Sequence, residues 1–506
     1  MAKAGGSSRH VELERKFDVE GATLLPSFDG LSVVSRAARL PMQALEAVYF
    51  DTAANDLAAR RVTLRRRTGG ADAGWHLKLP SGSEARTEIH APLGSGTDAA
   101  DVPEELLDVV LAIVRDRPLA PVARIATSRE VTMIHGIDGN PVAEFCDDRV
   151  SAARINAADG TLVDEQAWRE WELELVDAGV DGAADLLNRL GNRLIDAGAT
   201  PSGHGSKLAK VLGDTVPRRS KSHADPVHRA VSEQVELLLE WDRAVRADAY
   251  DSVHQMRVAT RQIRSLLQAS EDAFGLTDDA WILNELRELA AVLGTARDAE
   301  VLAESYSTAL DALEPELVRG PVRERLVEGA RRQYQLGLRR SWAAMRSPRY
   351  FRLLDALEGL VVTQPPEGQD THPPATIESS YRRVRKAVKA SRAAADNSND
   401  DALHRIRKAA KRLRYVAAAT GDSRVAGRSK IIQSLLGDHQ DSVISRAHLL
   451  RQADAAHAAG EDTFTYGVLY AQKAAVGDRC RAQLDEALNA LRQSVRETRR
   501  GGRAGL

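Results

Sequence analysis

The stretch that decides the fold of the first part of this chain is VELERKF, which covers residues 11–17. Side chains alternate between the two faces of a β-strand, so Glu12, Glu14 and Lys16 share one face. Leu13 and Phe17 share the other face, which predicts a strand that packs on an apolar core. The charged face departs from ordinary apolar patterning, and such departures are typical of functional sites.

The same alternation recurs in short segments up to about residue 175, separated by turns rich in Gly, Asp and Pro. This pattern predicts an antiparallel sheet or barrel. The charged pairs that share a face within one segment are Arg65 with Arg67, His76 with Lys78, Arg86 with Glu88, Glu144 with Asp148, and Glu172 with Glu174. A solvated sheet face would explain any single strand of this kind, but it explains a repeated pattern less well. If the faces line a closed barrel, its interior holds cations for phosphate oxygens and carboxylates for a hard divalent ion.

The segments VELERKF, TLRRR, WHLKL and WELEL resemble the CYTH domain in their order and spacing, over about residues 9–212. The resemblance implies a triphosphate tunnel whose family includes inorganic triphosphatases, thiamine triphosphatases and class IV adenylate cyclases, with Mg²⁺ or Mn²⁺ as cofactor. The implied catalytic residues are Glu12, Glu14, Lys16, Glu172 and Glu174. The implied metal ligands are Glu12, Glu14, Asp148, Glu172 and Glu174. The implied substrate-binding residues are Lys16, Arg65, Arg67, Lys78, Glu88, Arg129 and Lys207, with Glu88 organising the basic side chains.

Two of these assignments are choices between neighbours. Arg129 is preferred to Arg124 for its strand-like surroundings, and Asp148 is preferred to Asp147 because it shares parity with Glu144. No adenine-reading element is apparent, so inorganic tripolyphosphate suits the tunnel best, while nucleotides and thiamine triphosphate stay open as substrates.

Beyond about residue 226 the pattern is almost wholly helical and contains an internal repeat. HQMRVATRQIR at residues 254–264 aligns with HRIRKAAKRLR at residues 404–414, and LGTARD at 293–298 aligns with LGDHQD at 436–441. Helical spacing places the basic residues of each copy in one stripe. The two stripes consist of His254, Arg257, Arg261 and Arg264, and of His404, Arg407, Lys411 and Arg414. A solvated face paired with nearby acids is the ordinary explanation, but few acids lie at helical spacing here, so a polyanion would relieve the repulsion.

These helical blocks resemble the CHAD domain over about residues 223–500. The resemblance implies that both stripes, together with Arg297, bind inorganic polyphosphate in a basic channel. The second copy departs from the pattern by placing Lys411 where an arginine is usual and Gln440 at the position of Arg297. These changes are expected to weaken phosphate contacts on that side.

The expected architecture is therefore an α+β multidomain chain, with an N-terminal antiparallel β-barrel with flanking helices and a C-terminal all-α duplicated bundle. The barrel domain is placed at residues 9–212, with helical segments at 182–194 and 207–213 near its end, and a linker at 213–226. The helical domain is placed at residues 227–500. Its two repeats, about 227–362 and 375–500, are separated by the Pro-rich segment 363–374.

Composition sets limits on partners and location. The 506 residues include 70 basic and 72 acidic side chains, so any polyanion site must arise from local clustering. The two cysteines, Cys146 and Cys480, lack zinc-ligand spacing and are expected to be buried thiols. The chain shows no signal peptide and no run of about 18 apolar residues, which predicts no membrane partner and a cytoplasmic protein, in association with polyphosphate granules if it binds polyphosphate.

The leading hypothesis for function is a metal-dependent triphosphatase joined to a polyphosphate-binding domain. The alternative is a non-catalytic polyphosphate-binding or granule-associated protein, whose tunnel binds phosphate without cutting it. Nucleic-acid binding ranks last because the helical half lacks clear aromatic stacking positions. The sequence leaves the oligomeric state open.

Overall fold

The computed structural model divides the chain into two compact units. The first unit comprises Met1–Arg229, Leu239–Tyr250 and Met345–Asp355, and the second comprises Ala230–Leu238, Asp251–Ala344 and Ala356–Leu506. The structure describes residues 8–81, 85–94, 101–177, 179, 181–217, 226–269, 274, 276, 280–362, 376–393 and 399–504. The expected Pro-rich connection at 363–374 and residues 218–225 of the expected linker lie outside the described residues, and the domain boundaries stay a prediction.

Ten strands form one antiparallel sheet in the described part of the first unit. Their bounds are β1 (Ser8–Val19), β2 (Arg36–Arg39), β3 (Gln43–Asp51), β4 (Thr63–Thr68), β5 (Gly74–Ser81), β6 (Ala85–Ala91), β7 (Ala120–His135), β8 (Pro141–Ile155), β9 (Leu162–Leu175) and β10 (Thr200–Pro201). Eight of them close a barrel in the order β1-β6-β5-β4-β3-β7-β8-β9, because β9 pairs back with β1. The short strands β2 and β10 add to β7 and β1. The prediction of an N-terminal antiparallel barrel is confirmed.

The register of the barrel brings charged residues of neighbouring strands side by side. Glu14 pairs with Glu174 and Lys16 pairs with Glu172 between β1 and β9, and Glu144 of β8 also pairs with Glu174. Residues directly opposite each other in a ladder point to the same face. The charged faces therefore continue from strand to strand around the interior.

The apolar faces of the strands point outward and are covered by helices. The helices of this part are α1 (Glu104–Val114), α2 (Ala183–Asp196) and α3 (Lys207–Leu212). Leu106 of α1 packs in one core with Leu64 and Leu77, and α2 covers Phe17 and Leu173. Each large apolar side chain buried in this way stabilises the fold by about 1.5–3 kcal/mol. The core lies outside the barrel wall, which frees the interior for charge; sequence patterns anticipate α2 and α3 but not α1.

The described residues from 226 to 504 form helices joined by turns, and no strand occurs among them. The α-helices are α4 (Pro226–Arg246), α5 (Ser252–Ala269), α6 (Trp281–Asp311), α7 (Gly329–Met345), α8 (Pro348–Val362), α9 (Ile377–Arg392), α10 (Asn399–Ala419), α11 (Ser423–Ala458) and α12 (Phe464–Ala504). The repeated blocks fall on α5 and α6 in the first copy and on α10 and α11 in the second, so the prediction of an all-helical second half is confirmed. In the portion of the chain that the structure describes, no helix is long and apolar enough to cross a membrane. Both cysteines are free and buried, as expected.

Candidate functional site

The barrel interior holds a cavity of about 350 Å³, a size within the range of ~300–1,000 Å³ that small-ligand sites occupy. The predicted residues that line it are Glu12, Glu14, Lys16, Arg65, Arg67, Lys78, Glu88, Arg129, Glu172, Glu174 and Lys207. Asp148 is fully buried and lies directly behind Arg129 and Lys207. The structure thus brings the predicted barrel residues together around one space, and their chemical roles stay predictions.

Lys16 is a cation of the cavity that is paired with two carboxylates. Its Nζ lies 2.7 Å from Glu14 Oε2 and also donates a hydrogen bond to Glu172. Burial alone would lower the pKa of Lys16, but Glu14 and Glu172 raise it well above its usual value. Burial would raise the pKa of Glu14, yet Lys16 and Lys78 bring it down to about 2. Both partners of this pair therefore stay charged at neutral pH.

Lys207 forms the centre of a second paired cluster at the first residue of α3. Its Nζ lies 2.8 Å from Asp148, 2.7 Å from Glu170 and 2.8 Å from Glu172. Arg129 donates two hydrogen bonds to Asp148, at 2.8 and 2.6 Å. Burial opposes the charge of Lys207, but these carboxylates raise its pKa well above the usual value. In the structure, Asp148 accepts from cations on both of its oxygens.

Glu174 and Glu144 differ from the other carboxylates that line the cavity, because no hydrogen bond or ion pair joins either of them to a cation among the described residues. Burial raises the pKa of Glu174 to about 7, against the lowering effect of Lys78 and together with the charges of Glu12, Glu14 and Glu172. Burial and three neighbouring carboxylates therefore disfavour the ionised form of Glu174. A hard divalent ion with oxygen ligands would supply positive charge, so these residues fit Mg²⁺ or Mn²⁺.

The wall formed by β5 and β6 is held by further charge pairs. Lys78 Nζ lies 2.6 Å from Glu12 Oε2, and His76 Nδ1 lies 2.8 Å from Glu88 Oε1. Burial lowers the pKa of His76 to about 4. Burial would raise the pKa of Glu88, but the hydrogen bond with His76 and the charge of Lys78 hold it well below its usual value. Glu88 is therefore ionised in the cavity.

The arginines of β4 supply donors that lack acceptors. Arg65 Nη1 donates to the hydroxyl of Tyr49 at 3.3 Å. The Nε atoms of Arg65 and Arg67 are buried and have no hydrogen-bond partner among the described residues. Burial lowers the pKa of Arg67 to about 10, with Arg65 and Arg129 adding repulsion. A buried donor without an acceptor costs about 1–3 kcal/mol, so a bound anion would stabilise this wall.

Arg124 and Asp147, the neighbours to which Arg129 and Asp148 were preferred, lie outside the lining of the cavity. Arg124 is 51% exposed and pairs with Glu46 at 2.7 Å. Asp147 accepts from Arg169 at 2.7 Å and from the Trp171 indole, away from the lining of the cavity. The interior positions are thus occupied by Arg129 and Asp148.

Several residues of the site were not assigned a role from sequence. The lining residues in this class are His10, Tyr49, Thr63, Asp72, Arg86, Glu144 and Ser206. Glu170, which bonds to Lys207, is also in this class. Strand parity already groups Arg86 with Glu88 and Glu144 with Asp148. It could also have found His10, which shares a face with Glu12, and Glu170, which shares a face with Glu172.

The second unit brings the two predicted stripes into electrostatic contact. Burial lowers the pKa of Lys411 to about 8, and the charges of Arg261, Arg407, Arg414 and Arg257 lower it further in the same direction. Two of these residues, Arg257 and Arg261, lie on α5 in the first copy of the repeat. The other three, Arg407, Lys411 and Arg414, lie on α10 in the second copy. The stripes therefore face a common region of concentrated positive charge.

The two repeated blocks of each copy meet at a glycine. A Cβ atom added to Gly294 would lie 3.3 Å from Arg257 Nε, and one added to Gly437 would lie 3.5 Å from Arg407 Nη2. The glycine of the LG block thus makes room for the first arginine of the basic block. Arg257 Nε also donates to the carbonyl of Ala290 at 3.2 Å.

The stripe residues differ in how well they are paired. Arg297 is held by Glu300 at 2.8 Å and Asp251 at 3.4 Å, and Arg414 donates to Gln433 at 3.0 Å. Burial lowers the pKa values of His254 and His404, and neighbouring basic residues add to the effect. Buried nitrogens that find no hydrogen-bond partner in the described chain belong to Arg261, Arg264, His404 and Arg407.

Comparisons with known proteins match the barrel part and the helical part of the chain to two different domain families. The CYTH domain model matches residues 10–190 and the CHAD domain model matches residues 229–450. An uncharacterized protein of Mycobacterium tuberculosis is 61% identical over an alignment of 510 positions, which covers 97% of this chain and 98% of the relative. The CHAD domain of the plant Ricinus communis is 24% identical, over 52% of this chain and 90% of that chain, with a TM-score of 0.40.

A Hippeastrum protein named as an adenylyl cyclase with a dominant triphosphatase activity is 18% identical, over 41% of this chain and 97% of that chain, with a TM-score of 0.26. Such low TM-scores add nothing to the assignment, which rests on the family models and the mycobacterial relative. CYTH domains include triphosphatases and cyclases and typically bind a divalent metal. The chain belongs to the family of CYTH–CHAD proteins, in which a CYTH triphosphate tunnel domain is followed by a CHAD domain.

Proposed function

We propose that the barrel hydrolyses inorganic tripolyphosphate or a related triphosphate with Mg²⁺ or Mn²⁺, and that the helical unit binds inorganic polyphosphate. The observation that carries the proposal is a cavity of about 350 Å³ lined by both charge signs, in which no cation of the described chain bonds to Glu174. A site for an anion alone would have no need of unbalanced carboxylates. Polyphosphate binding would also associate the protein with granules in the cytoplasm.

The charge pairs of the cavity can exchange partners when substrate and metal enter together. Lys16 and Lys207 now bond to carboxylates, which the metal would take over as ligands. The released ammonium groups would then bind phosphate oxygens. Because every charge keeps a partner, the exchange avoids leaving a buried ion uncompensated.

Arginine side chains would orient the phosphate chain. Arg65 and Arg67 hold unpaired Nε donors that face no acceptor in the described chain, and planar guanidinium groups suit successive phosphoryl oxygens. The metal, when bound, would neutralise charge that develops on the transferred phosphoryl group. Positioning and charge stabilisation are what phosphoryl transfer requires of a protein.

The helical unit supports binding rather than chemistry. The lowered pKa of Lys411 and the unpaired Nε atoms of Arg261 and Arg407 indicate positive charge that lacks a counterion. A linear polyanion would relieve that repulsion along both copies of the repeat. No carboxylate cluster of the metal-binding kind occurs among the described residues of this unit.

The catalytic part is tested by phosphate release from tripolyphosphate, ATP, thiamine triphosphate and long polyphosphate, with Mg²⁺ or Mn²⁺. Glu174→Gln should lower the rate on the preferred substrate by about 100-fold or more, because a metal ligand is lost. Glu165→Gln, an exposed position on the same strand, is the matched control and should leave the rate unchanged. Wild-type protein that binds polyphosphate but releases no phosphate would favour the non-catalytic alternative.

The binding part is tested by polyphosphate affinity measured against salt concentration. Arg407→Gln should weaken binding by about tenfold, because a charge-assisted contact is lost. Arg405→Gln, two positions away on the exposed face of α10, is the matched control. If the combined substitution of Arg257, Arg261, Arg407 and Lys411 by Gln leaves the affinity unchanged, the stripes do not bind polyphosphate.

A further inference from the structure

His10 extends the charged ladder of β1 by one step towards solvent. It lies two residues before Glu12 on the same face, and the ladder between β1 and β6 pairs it with Glu88. The His10 side chain is 52% exposed, whereas those of Glu12 and Glu88 are 3% and 7% exposed. His10 therefore lies at the exposed end of the cavity and faces two buried carboxylates.

Each of these carboxylates uses one oxygen inside the protein and turns the other towards His10. Glu12 Oε2 lies 2.6 Å from Lys78 Nζ, and Glu12 Oε1 lies 3.4 Å from His10 Nε2. Glu88 Oε1 lies 2.8 Å from His76 Nδ1, and Glu88 Oε2 lies 3.3 Å from His10 Nε2. The inner contacts hold both carboxylates in place, so one nitrogen and two oxygens converge on the same point.

The separations match those between ligands that share one cation. Divalent ions bind nitrogen and oxygen at ~2.0–2.2 Å, which places adjacent ligands ~3.0 Å apart at octahedral angles and ~3.4 Å apart at tetrahedral angles. The observed distances of 3.3 and 3.4 Å from His10 Nε2 fall in that range. The exposure of His10 leaves one side open for water or a phosphate oxygen.

We propose that His10, Glu12 and Glu88 form a second cation site at the exposed end of the cavity, selective for first-row transition metals over Mg²⁺. The selectivity follows from the donors, because Mg²⁺ prefers oxygen ligands while an imidazole nitrogen favours ions such as Zn²⁺, with Mn²⁺ intermediate. This inference rests on the proposed function and deepens it, since it gives the metal preference of the same cavity. The carboxylates around Glu174 offer oxygen ligands alone, and Glu12 belongs to both sets of candidate ligands.

The test is direct detection of nitrogen coordination in the full-length protein loaded with Mn²⁺. Pulsed electron paramagnetic resonance should show coupling of the bound Mn²⁺ to an imidazole nitrogen. His10→Gln should remove the coupling, and His204→Gln, an exposed histidine outside the cavity lining, should retain it. Bound Mn²⁺ without nitrogen coupling in the wild type would overturn the proposal and leave His10 as an ion-pair partner of the two carboxylates.

Affinities give a second measurement. His10→Gln should weaken one class of Zn²⁺ and Mn²⁺ sites by about tenfold or more and should change Mg²⁺ affinity by less than about threefold. Equal losses for Mg²⁺ and Zn²⁺ would contradict a nitrogen-selective site.

The two proposals can fail independently. Nitrogen coupling in a wild-type protein that releases no phosphate from any triphosphate would reject the hydrolytic function and keep the metal site. Metal-dependent phosphate release without nitrogen coupling would keep the function and reject the site.

Discussion

The barrel cavity and the helical stripes both concentrate cations, but the pKa values of lysines in the two places shift in opposite directions. In the barrel, carboxylates overcome the effect of burial and raise the pKa values of Lys16 and Lys207. In the stripes, burial and neighbouring arginines both lower the pKa of Lys411, to about 8. The barrel therefore contains its own counterions and, under the proposed function, would take up a metal together with its anion, whereas the stripes would bind the anion alone.

The largest expected difference concerns stability. Lys207→Met would leave three buried carboxylates with one cation fewer and should lower the free energy of unfolding by about 3 kcal/mol or more. Arg261→Met removes one of several like charges and keeps an apolar stem, so stability should stay unchanged or rise. Urea titration of both variants beside the wild type measures the contrast. Equal destabilisation would mean that the stripe arginines are structural, as the barrel cations are.

A smaller effect is expected in the pH dependence of metal binding to the barrel. The pKa of Glu174 is raised to about 7, so its carboxyl is protonated below that pH and must lose the proton to bind a metal. Mg²⁺ affinity should therefore be constant above pH 7 and fall by up to about tenfold per pH unit below it. Calorimetric titration with Mg²⁺ measures the slope. Glu174→Gln should bind weakly with no slope in this range, and an unchanged slope would assign the titration to another group.

The stripes should show the opposite dependence. Lys411 carries its charge below about pH 8, and bound polyphosphate would raise its pKa, so affinity should be steady below pH 8 and decline above it. A decline of about fivefold between pH 7.5 and 9 is expected, together with proton uptake on binding at pH 8. Lys411→Arg should abolish both effects, because an arginine stays charged throughout. Proton uptake that persists in this variant would locate the titrating group elsewhere.

The smallest expected effect is a difference in polyphosphate affinity between the same glycine substitution made in the first and in the second copy of the repeat. Gly294→Ala places a Cβ 3.3 Å from Arg257 Nε, so the guanidinium must move by a few tenths of an ångström, and polyphosphate affinity should fall by about twofold. Gly437→Ala makes an ordinary contact of 3.5 Å with Arg407 and should leave affinity unchanged. Both substitutions favour helix by about 1 kcal/mol, which melting curves would register. Equal affinity losses would show that the glycines do not position the arginines.

The sequence alone determined the features that depend on local periodicity. Alternation along β1 placed Glu12, Glu14 and Lys16 on one face, and helical spacing with the internal repeat placed Arg257 and Arg407 in matching stripes. These patterns sufficed for the fold class and for the two families, because they depend only on which face of its own strand or helix each side chain occupies.

Only the tertiary structure decided which charges meet. Closure of the barrel between β1 and β9, together with the packing of α3, gathers three carboxylates around Lys207 and leaves Glu174 without a bonded cation in the part of the chain that the structure describes. The approach of α5 and α10 lowers the pKa of Lys411. His10 and Glu88 are far apart in sequence and converge through strand pairing. Such pairings join distant parts of the chain, and the pKa shifts depend on burial as well as on the neighbours that the fold supplies, so periodicity along one strand or helix carries no record of them.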